Sequence, residues 1–177
     1  MLINRKTIVM ALALALSLLA PRVAAQGESA IIQATATVIT SLAITGTHDL
    51  QFGVVVPSMN KTVTKTTVGE AGEWNVTGTV NAELQLTFTL PDSLTHETQA
   101  VGMNVLFNAT DASYDDGSGG GQTLPVATIN PNSASTERLG ATGAMTIWIG
   151  GTVIPRLSQT GGNYAADITL TVAYTGS

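Results

Sequence analysis

Residues 83–90 read ELQLTFTL, and every second side chain in this stretch is large and apolar. The four apolar side chains point to one side of an extended backbone, and the polar ones between them point to the other. The four are Leu84, Leu86, Phe88 and Leu90. This alternation is typical of a β-strand with one buried face, so we expect residues 83–90 to contribute to the core.

Alternation with a period of two recurs on both sides of this stretch, and no window carries the apolar stripe of an amphipathic helix. The other alternating segments are residues 30–38, 103–107, 145–149 and 164–174. Turn-forming Gly, Pro, Asn and Asp residues separate these segments. The pattern predicts an all-β fold, an antiparallel β-sandwich of roughly eight to ten strands.

The N-terminus has the pattern of a secretory signal. A basic pair at residues 5–6 precedes the apolar run 8–20, and small residues at 23–25 stand where a signal peptidase cleaves. The apolar run is shorter than the roughly 20 residues that span a bilayer. We therefore predict a cleaved signal peptide at residues 1–25 and a single β-sandwich domain at residues 26–177, with no membrane span after signal removal.

Composition excludes several classes of protein. Residues 26–177 carry four basic and twelve acidic side chains, and this negative charge argues against a nucleic acid or an anionic lipid as partner. The chain has no Cys, which excludes disulfides, Cys zinc sites and thiol nucleophiles.

Catalytic motifs are also missing from the sequence. His48 and His96 are its only histidines, and neither has a companion at metal-ligand spacing. There is no Gly-x-Ser-x-Gly elbow, no His-Glu-x-x-His and no phosphate-binding Gly loop. Carboxylate pairs such as Glu70 and Glu73 can converge for glycoside hydrolysis only through the tertiary fold. We therefore predict a protein that is not an enzyme, with no catalytic residue, no metal and no other cofactor.

An acidic loop at residues 111–117 places oxygen-bearing side chains at alternating positions, as calcium loops do. Gly117 falls one position too late for that pattern, and no Glu follows at the expected distance. We interpret the loop as a flexible hairpin connection that continues into a Gly-rich run.

Three short blocks give a more specific signal: Leu50-Gln51-Phe52-Gly53, the stretch GGTVI at residues 150–154, and Gly162-Asn163-Tyr164 leading into residues 168–174. In their order and spacing the chain resembles the bacterial secreted family known as domain of unknown function 4402. The closing block, Gly-x-Tyr followed by a strand ending in Val-x-Tyr, is also similar to the last strand of chaperone-usher pilins and spore-coat-U-type domains.

These resemblances imply an immunoglobulin-like sandwich that is exported to the bacterial cell surface, the medium or the periplasm. For the pilins they also imply polymerisation by strand exchange. The resulting hypothesis is a secreted structural or adhesive surface protein, a fimbrial subunit of a pilus-like or matrix assembly.

The alternating N-terminal segment, residues 30–38, has the pattern required for strand addition. An extended segment from a neighbour can pair with a free sheet edge while its alternate side chains fill a groove. The inserting row consists of Ala30, Ile32, Ala34, Ala36 and Val38. The same pattern also suits a first strand that pairs within its own domain. Both interpretations stay open at this stage. Donation between chains implies a homo-oligomer or filament, and pairing within the domain implies neither.

A second hypothesis from another functional class is a monomeric carbohydrate-binding module that takes a glycan or another cell-surface partner. Trp148 has the opposite parity to Met145, Ile147 and Ile149, so an inward-facing trio would present its indole outward. Trp74 follows Gly72 in another short strand. An outward-facing Trp can stack on a sugar ring, so both are surface-binding candidates. In the alternative interpretation, which is the more common case in sandwiches, an off-parity Trp covers a neighbouring strand.

Overall fold

The computed structural model describes residues 32–36, 38 and 40–176, so the predicted signal peptide and Ala30 lie outside the described residues. The chain divides into two units, residues 1–37 and 38–177. In the first unit, residues 32–36 are exposed and are not assigned to a strand. The account below concerns the second unit.

The described part of the chain contains thirteen strands and no helix, which confirms the all-β prediction. No helix in that part is long and apolar enough to cross a membrane. In chain order the strands are β1 (Ala43–His48), β2 (Lys61–Val63), β3 (Gly72–Thr77), β4 (Glu83–Thr89), β5 (Ser93–His96), β6 (Gly102–Leu106), β7 (Ala112–Asp115), β8 (Ala127–Ile129), β9 (Ser135–Arg138), β10 (Ala144–Ile149), β11 (Gly151–Ile154), β12 (Tyr164–Ala165) and β13 (Thr169–Tyr174).

The strands form three antiparallel sheets. The first has the order β1-β3-β10-β7-β8, the second β12-β5-β6-β11-β2, and the third β13-β4-β9. The second and third sheets adjoin, because β4 runs on into β5 and pairs with β13, while β5 pairs with β12. Pro91, which has no amide hydrogen for a ladder, lies between β4 and β5. The first sheet faces this pair of sheets, as the edge-on contact of Trp74 in β3 with Phe88 in β4 shows. One strand also passes from the first sheet to the second, because β10 runs on into β11 through Gly150. The arrangement is consistent with the predicted antiparallel sandwich.

The side chains that the alternation predicts to face inward are buried in the core. Leu84 and Leu86 of β4 are fully buried, and the polar residues between them are not. The inward-facing trio of β10 is likewise buried in the core. Other buried core residues come from both layers: Val63, Val76, Met103, Val105, Phe107, Ile129, Val153 and Leu170.

The strand count exceeds the roughly eight to ten predicted, because short and interrupted strands are counted separately. The predicted strand at residues 164–174 is divided into β12 and β13 by residues 166–168. The N-terminal alternation at residues 30–38 predicts a strand, whereas described residues 32–36 and 38 have none. Alternation shows that a segment can fill a sheet position, but a strand forms only where a partner supplies the ladder.

Tyr174, the Tyr of the Val-x-Tyr motif, fixes the chain just before β1. Its hydroxyl accepts a hydrogen bond from the Thr79 amide at 2.7 Å and donates one to the Thr40 carbonyl at 3.0 Å. The Thr40 amide in turn donates to Thr79 Oγ1 at 2.9 Å. We call these three residues the Thr40 clasp. It joins the last strand, the turn after β3 and the chain leading into β1.

Candidate functional site: a groove between the layers

A groove of about 900 Å³ opens between the two layers, near the end of β1. Its volume is typical of sites that take a ligand or a peptide segment. The apolar part of its lining comes from separate stretches of chain: Leu50, Phe52, Trp74, Leu94, Met103, Val105, Phe107, Val153, Tyr164 and Ile168.

The groove floor consists of inner-face side chains that belong to the buried core. Met103, Val105 and Phe107 keep 6–7% of their surface exposed, whereas Leu84 and Leu86 are fully covered. The first three line the groove and the last two do not. A bound apolar side chain would therefore contact the core directly at this end.

Two sheet edges flank the groove. Among the described residues, β1 pairs only with β3, and β12 pairs only with β5. Gly46 and His48 of β1 line one side, and residues 164–168 line the other. Edge strands carry unpaired N–H and C=O groups that can accept an added strand. The groove thus combines apolar pockets with two backbone edges.

His96 fixes the loop that borders the groove at residues 159–163. Its Nδ1 accepts hydrogen bonds from the Thr98 and Gln99 amides at 3.1 and 3.2 Å, so the neutral ring carries its proton on Nε2. Nε2 then donates to the Gly161 carbonyl at 3.1 Å. The Tyr164 ring packs edge-on against the imidazole, with centroids 5.0 Å apart.

Glu97 also holds the loop at residues 159–163, through hydrogen bonds to Asn163. Its carboxylate accepts hydrogen bonds from the Asn163 side chain at 2.9 Å and from the Asn163 amide at 3.3 Å. These bonds, the side-chain one above all, hold the pKa of Glu97 below its ordinary value. A depressed carboxyl pKa stabilises the fold above the unfolded pKa and loses that effect as pH falls through the folded value. The two hydrogen bonds from Asn163 to Glu97 therefore stabilise the fold less at acidic pH.

We expect Gly162→Ala to lower the free energy of unfolding by about 1–3 kcal/mol. Gly162 has φ 146°, and an added Cβ would collide with the His96 ring. Gly161→Ala is the matched control, because an added Cβ there meets nothing within 4 Å. Its effect should stay within about 0.5 kcal/mol. Urea unfolding of both variants measures the difference, and equal losses would contradict the packing of His96 on Gly162.

Trp74 lies in the groove wall, as one of the two predicted surface-binding candidates. It is half-buried, and its ring meets Phe88 edge-on with centroids 5.9 Å apart. Its indole also borders Gly46, where an added Cβ would lie 3.7 Å from the ring. Part of this ring is therefore available to a molecule in the groove.

Trp148, the other candidate, is buried, so the prediction that its indole faces solvent is wrong. The alternation did predict the side of β10 on which the indole lies, since Trp148 is outside the core cluster that contains Ile147 and Ile149. However, only 5% of Trp148 is exposed. Its Nε1 donates a hydrogen bond to Glu73 Oε2 at 2.9 Å, and Glu73 Oε1 accepts one from the Thr47 hydroxyl at 2.8 Å.

The chain between β2 and β3 crosses the face of the sheet on which Trp148 lies. Trp148 pairs with Ser113, which pairs with Thr128, so these side chains share a face. Lys65 Nζ donates to Thr128 Oγ1 at 2.7 Å, and burial lowers the pKa of this amine below its ordinary value. Ser113 is fully buried. This long-range crossing, which alternation does not encode, covers the outer face.

The prediction of a flexible loop at residues 111–117 is wrong for residues 112–115, which form the buried strand β7. The Gly-rich turn after this strand is organised by two carboxylates. Asp115, only 6% exposed, accepts hydrogen bonds from the amides of Gly117, Gly119 and Gly121 at 2.6, 3.2 and 2.7 Å. Asp116 accepts from Ser118. These oxygens therefore hold the Gly-rich turn in place.

Four apolar side chains beside the groove are strongly exposed, and the sequence analysis did not single them out. We call Val54, Val56, Met59 and Leu157 the apolar rim; they are 87, 52, 63 and 84% exposed. They lie on the loops that follow β1 and β11. In the sequence, the run Val54-Val55-Val56 within a turn-rich segment is the pattern that could have indicated this exposed cluster.

The remaining candidates, the inserting row at residues 30–38, lie apart from these features in the sequence. Ile32 and Val38 are 91% and 94% exposed, and Ala34 and Ala36 are also exposed. The residues 32–36 belong to the first unit. Whether they pair within or between chains stays a prediction.

Comparison with known families gives one match. The family model described as Domain of unknown function (DUF4402) covers residues 42–174. This range begins just before β1 and ends with Tyr174, so it contains every strand described above. No curated protein matches the chain.

Proposed function

The chain belongs to the DUF4402 family, and we propose that it is a secreted structural subunit of a pilus-like or matrix assembly whose subunits join by strand addition. The N-terminal pattern of residues 1–25 supports export, and the family description leaves function open. The observation that carries the proposal is the groove between β1 and β12, with its apolar floor and two free sheet edges.

The groove has the two features that strand addition requires. Backbone pairing along an edge supplies affinity, and pockets for alternate side chains supply register. The apolar groove lining at Met103, Val105 and Phe107 provides the surface for those side chains. The edge of β1 and the edge at residues 164–168 provide the backbone groups.

The N-terminal segment is the matching donor. It is exposed at the described positions 32–36 and 38 and carries apolar side chains at every second residue. Its polar residues, Gln33 and Thr35, would face away from the groove. Small Ala side chains in the row suit a groove that is already partly filled by Trp74 and Phe52.

Gel mobility of the exported protein, with and without boiling, tests this proposal. Strand-linked subunits are held by many backbone hydrogen bonds without any covalent bond, so we expect a ladder in unheated samples that collapses to one band on boiling. Electron microscopy of the same preparation should show fibres or a matrix. A single monomer band in both lanes, together with an absence of fibres, would contradict the proposal.

A monomeric carbohydrate-binding module is the second candidate, and the partly exposed indole of Trp74 in the groove wall supports it. Aromatic rings bind sugars by stacking on their apolar faces. A glycan array with wild type and Trp74→Ala tests it: binding that depends on Trp74 favours the module. No glycan binding by wild type, or binding that the variant retains unchanged, removes this residue from consideration.

A further inference from the structure

The apolar rim is carried by two tight turns, and the first of them holds Val56 and Met59. The Met59 amide donates a hydrogen bond to the Val56 carbonyl at 3.1 Å, across Pro57 and Ser58. Pro57 has the φ that the second position of such a turn requires, and the φ of 63° at Ser58 suits the third position of a type II turn. Val56 and Met59, at the two ends of the turn, are 52% and 63% exposed.

The second turn presents Leu157. The Gln159 amide donates to the Arg156 carbonyl at 3.1 Å, and the Arg156 amide donates to Gln159 Oε1 at 3.1 Å. The same Arg156 carbonyl accepts a hydrogen bond from the Ser58 amide at 3.3 Å, which joins the two turns. Because these amides are already paired within the protein, the joined turns offer a partner mainly their side chains.

The segments that carry the rim contain no acidic residue. All twelve acidic residues of the chain lie outside residues 50–69 and 139–166. Three of the four basic residues that follow the predicted signal peptide lie inside these two segments: Lys61, Lys65 and Arg156. The net charge of the domain argues against an anionic lipid as partner of the whole surface, but charge segregated in this way sets up a local cationic region.

Two of these cations belong to the rim itself. Lys61 Nζ donates to the Val54 carbonyl at 3.4 Å, so the ammonium lies beside the most exposed residue of the rim. Arg156 directly precedes Leu157 and is exposed, and within the part of the chain that the structure describes its guanidinium makes no ion pair. Exposed aliphatic side chains and unneutralised cations therefore occur together on the joined turns.

We infer that the apolar rim binds the surface of an anionic lipid bilayer, with its aliphatic side chains in the interface and with Lys61 and Arg156 against the lipid phosphates. Binding at a bilayer surface gains from buried apolar area and from attraction to anionic headgroups, and the rim supplies both. A soluble anion would leave the aliphatic side chains in water, and an apolar protein surface would leave the two cations unpaired. The inference does not depend on strand addition, because it uses only the residues of the two rim loops.

Co-sedimentation of the exported protein with lipid vesicles tests the contact. We expect wild type to bind vesicles of equal parts phosphatidylglycerol and phosphatidylcholine. Leu157→Asp should lower the partition coefficient at least about tenfold, because it replaces an inserted apolar side chain by a carboxylate at an anionic surface. Leu124→Asp is the matched control, since Leu124 is 69% exposed and lies outside the rim, and its change should stay within about twofold. Equal losses in the two variants, or no binding by wild type, would overturn the inference.

A second pair of variants measures the contribution of charge. Arg156→Gln should weaken binding to the same vesicles about fivefold, the effect of one cation near an anionic surface. Arg138→Gln makes the same change at an arginine that pairs with Glu83 at 3.5 Å, and it should have a smaller effect. Equal wild-type binding to vesicles of phosphatidylcholine alone would overturn the role of the two cations.

Sedimentation velocity without vesicles covers the other occupant of an apolar surface, a second copy of the chain. Self-association that Leu157→Asp removes, in a protein that ignores vesicles, would assign the rim to a contact between copies and would overturn the inference. All four variants change exposed side chains, so their urea midpoints should match wild type. Failure to bind vesicles leaves the proposed strand addition standing, and a missing heat-sensitive ladder leaves the bilayer contact standing.

Discussion

Ile32→Asp is expected to remove the heat-sensitive ladder while leaving the folded domain intact. Ile32 is the largest side chain of the inserting row, and it is 91% exposed in the single chain. In the groove of another copy it would lose this exposure, a gain of about 1.5–3 kcal/mol. An aspartate forfeits that gain and must also bury a charge without a partner. We therefore expect assembly to weaken at least about a hundredfold.

Gln33→Asp is the matched control for Ile32→Asp. It introduces the same charge one residue along, on the opposite parity, where the side chain faces solvent before and after insertion. Assembly should stay within a few-fold of wild type, and the urea midpoint of both variants should match wild type. Equal assembly by the two variants would exclude parity-specific insertion. Unfolding of the Ile32→Asp monomer would instead indicate that residues 30–38 form a strand of their own domain.

Parity predicted the core because alternation is a property of the local backbone. Every second residue of an extended chain faces the same side, whatever lies across from it. The buried pair Leu84 and Leu86 and the trio on β10 follow from this rule alone. Strand ends were less predictable: Pro91 marks one break in the sequence, whereas the break at residues 166–168 has no such signal and depends on how the two adjoining sheets meet.

The groove lay beyond sequence reasoning for a different reason. Its lining comes from loops after β1 and β11, from inner faces of the first and second sheets, and from β12 with the residues between β12 and β13. These segments meet only through pairings between residues far apart in the sequence, such as Tyr164 with His96. The glycines and apolar residues of those loops carry no periodicity. Of the two parts of the proposed interaction, only the donor segment at residues 30–38 shows a recognisable sequence pattern.

Trp148 shows that alternation predicts the side of a strand on which a residue lies but not whether that residue is exposed. Parity correctly placed its indole on the side of β10 away from the core, but exposure also depends on what crosses that side. Here Lys65 connects the chain after β2 to Thr110 and Thr128. The outer face of the first sheet consequently contains a buried aromatic residue, and the indole of Trp148 is not exposed to a ligand in this structure.

Trp148→Ala is therefore expected to lower the free energy of unfolding by about 3–5 kcal/mol, the range for removing a buried aromatic side chain. The change leaves a cavity and removes the indole donor from Glu73, which retains Thr47 as its other hydrogen-bond partner. Trp148→Phe keeps most of the packing and loses only the hydrogen bond, so about 1–2 kcal/mol is expected. Urea unfolding measures both variants, with the m-value checked for two-state behaviour. A loss below about 1 kcal/mol for Trp148→Ala would mean that the indole is exposed after all, and it would restore Trp148 as a candidate for glycan binding.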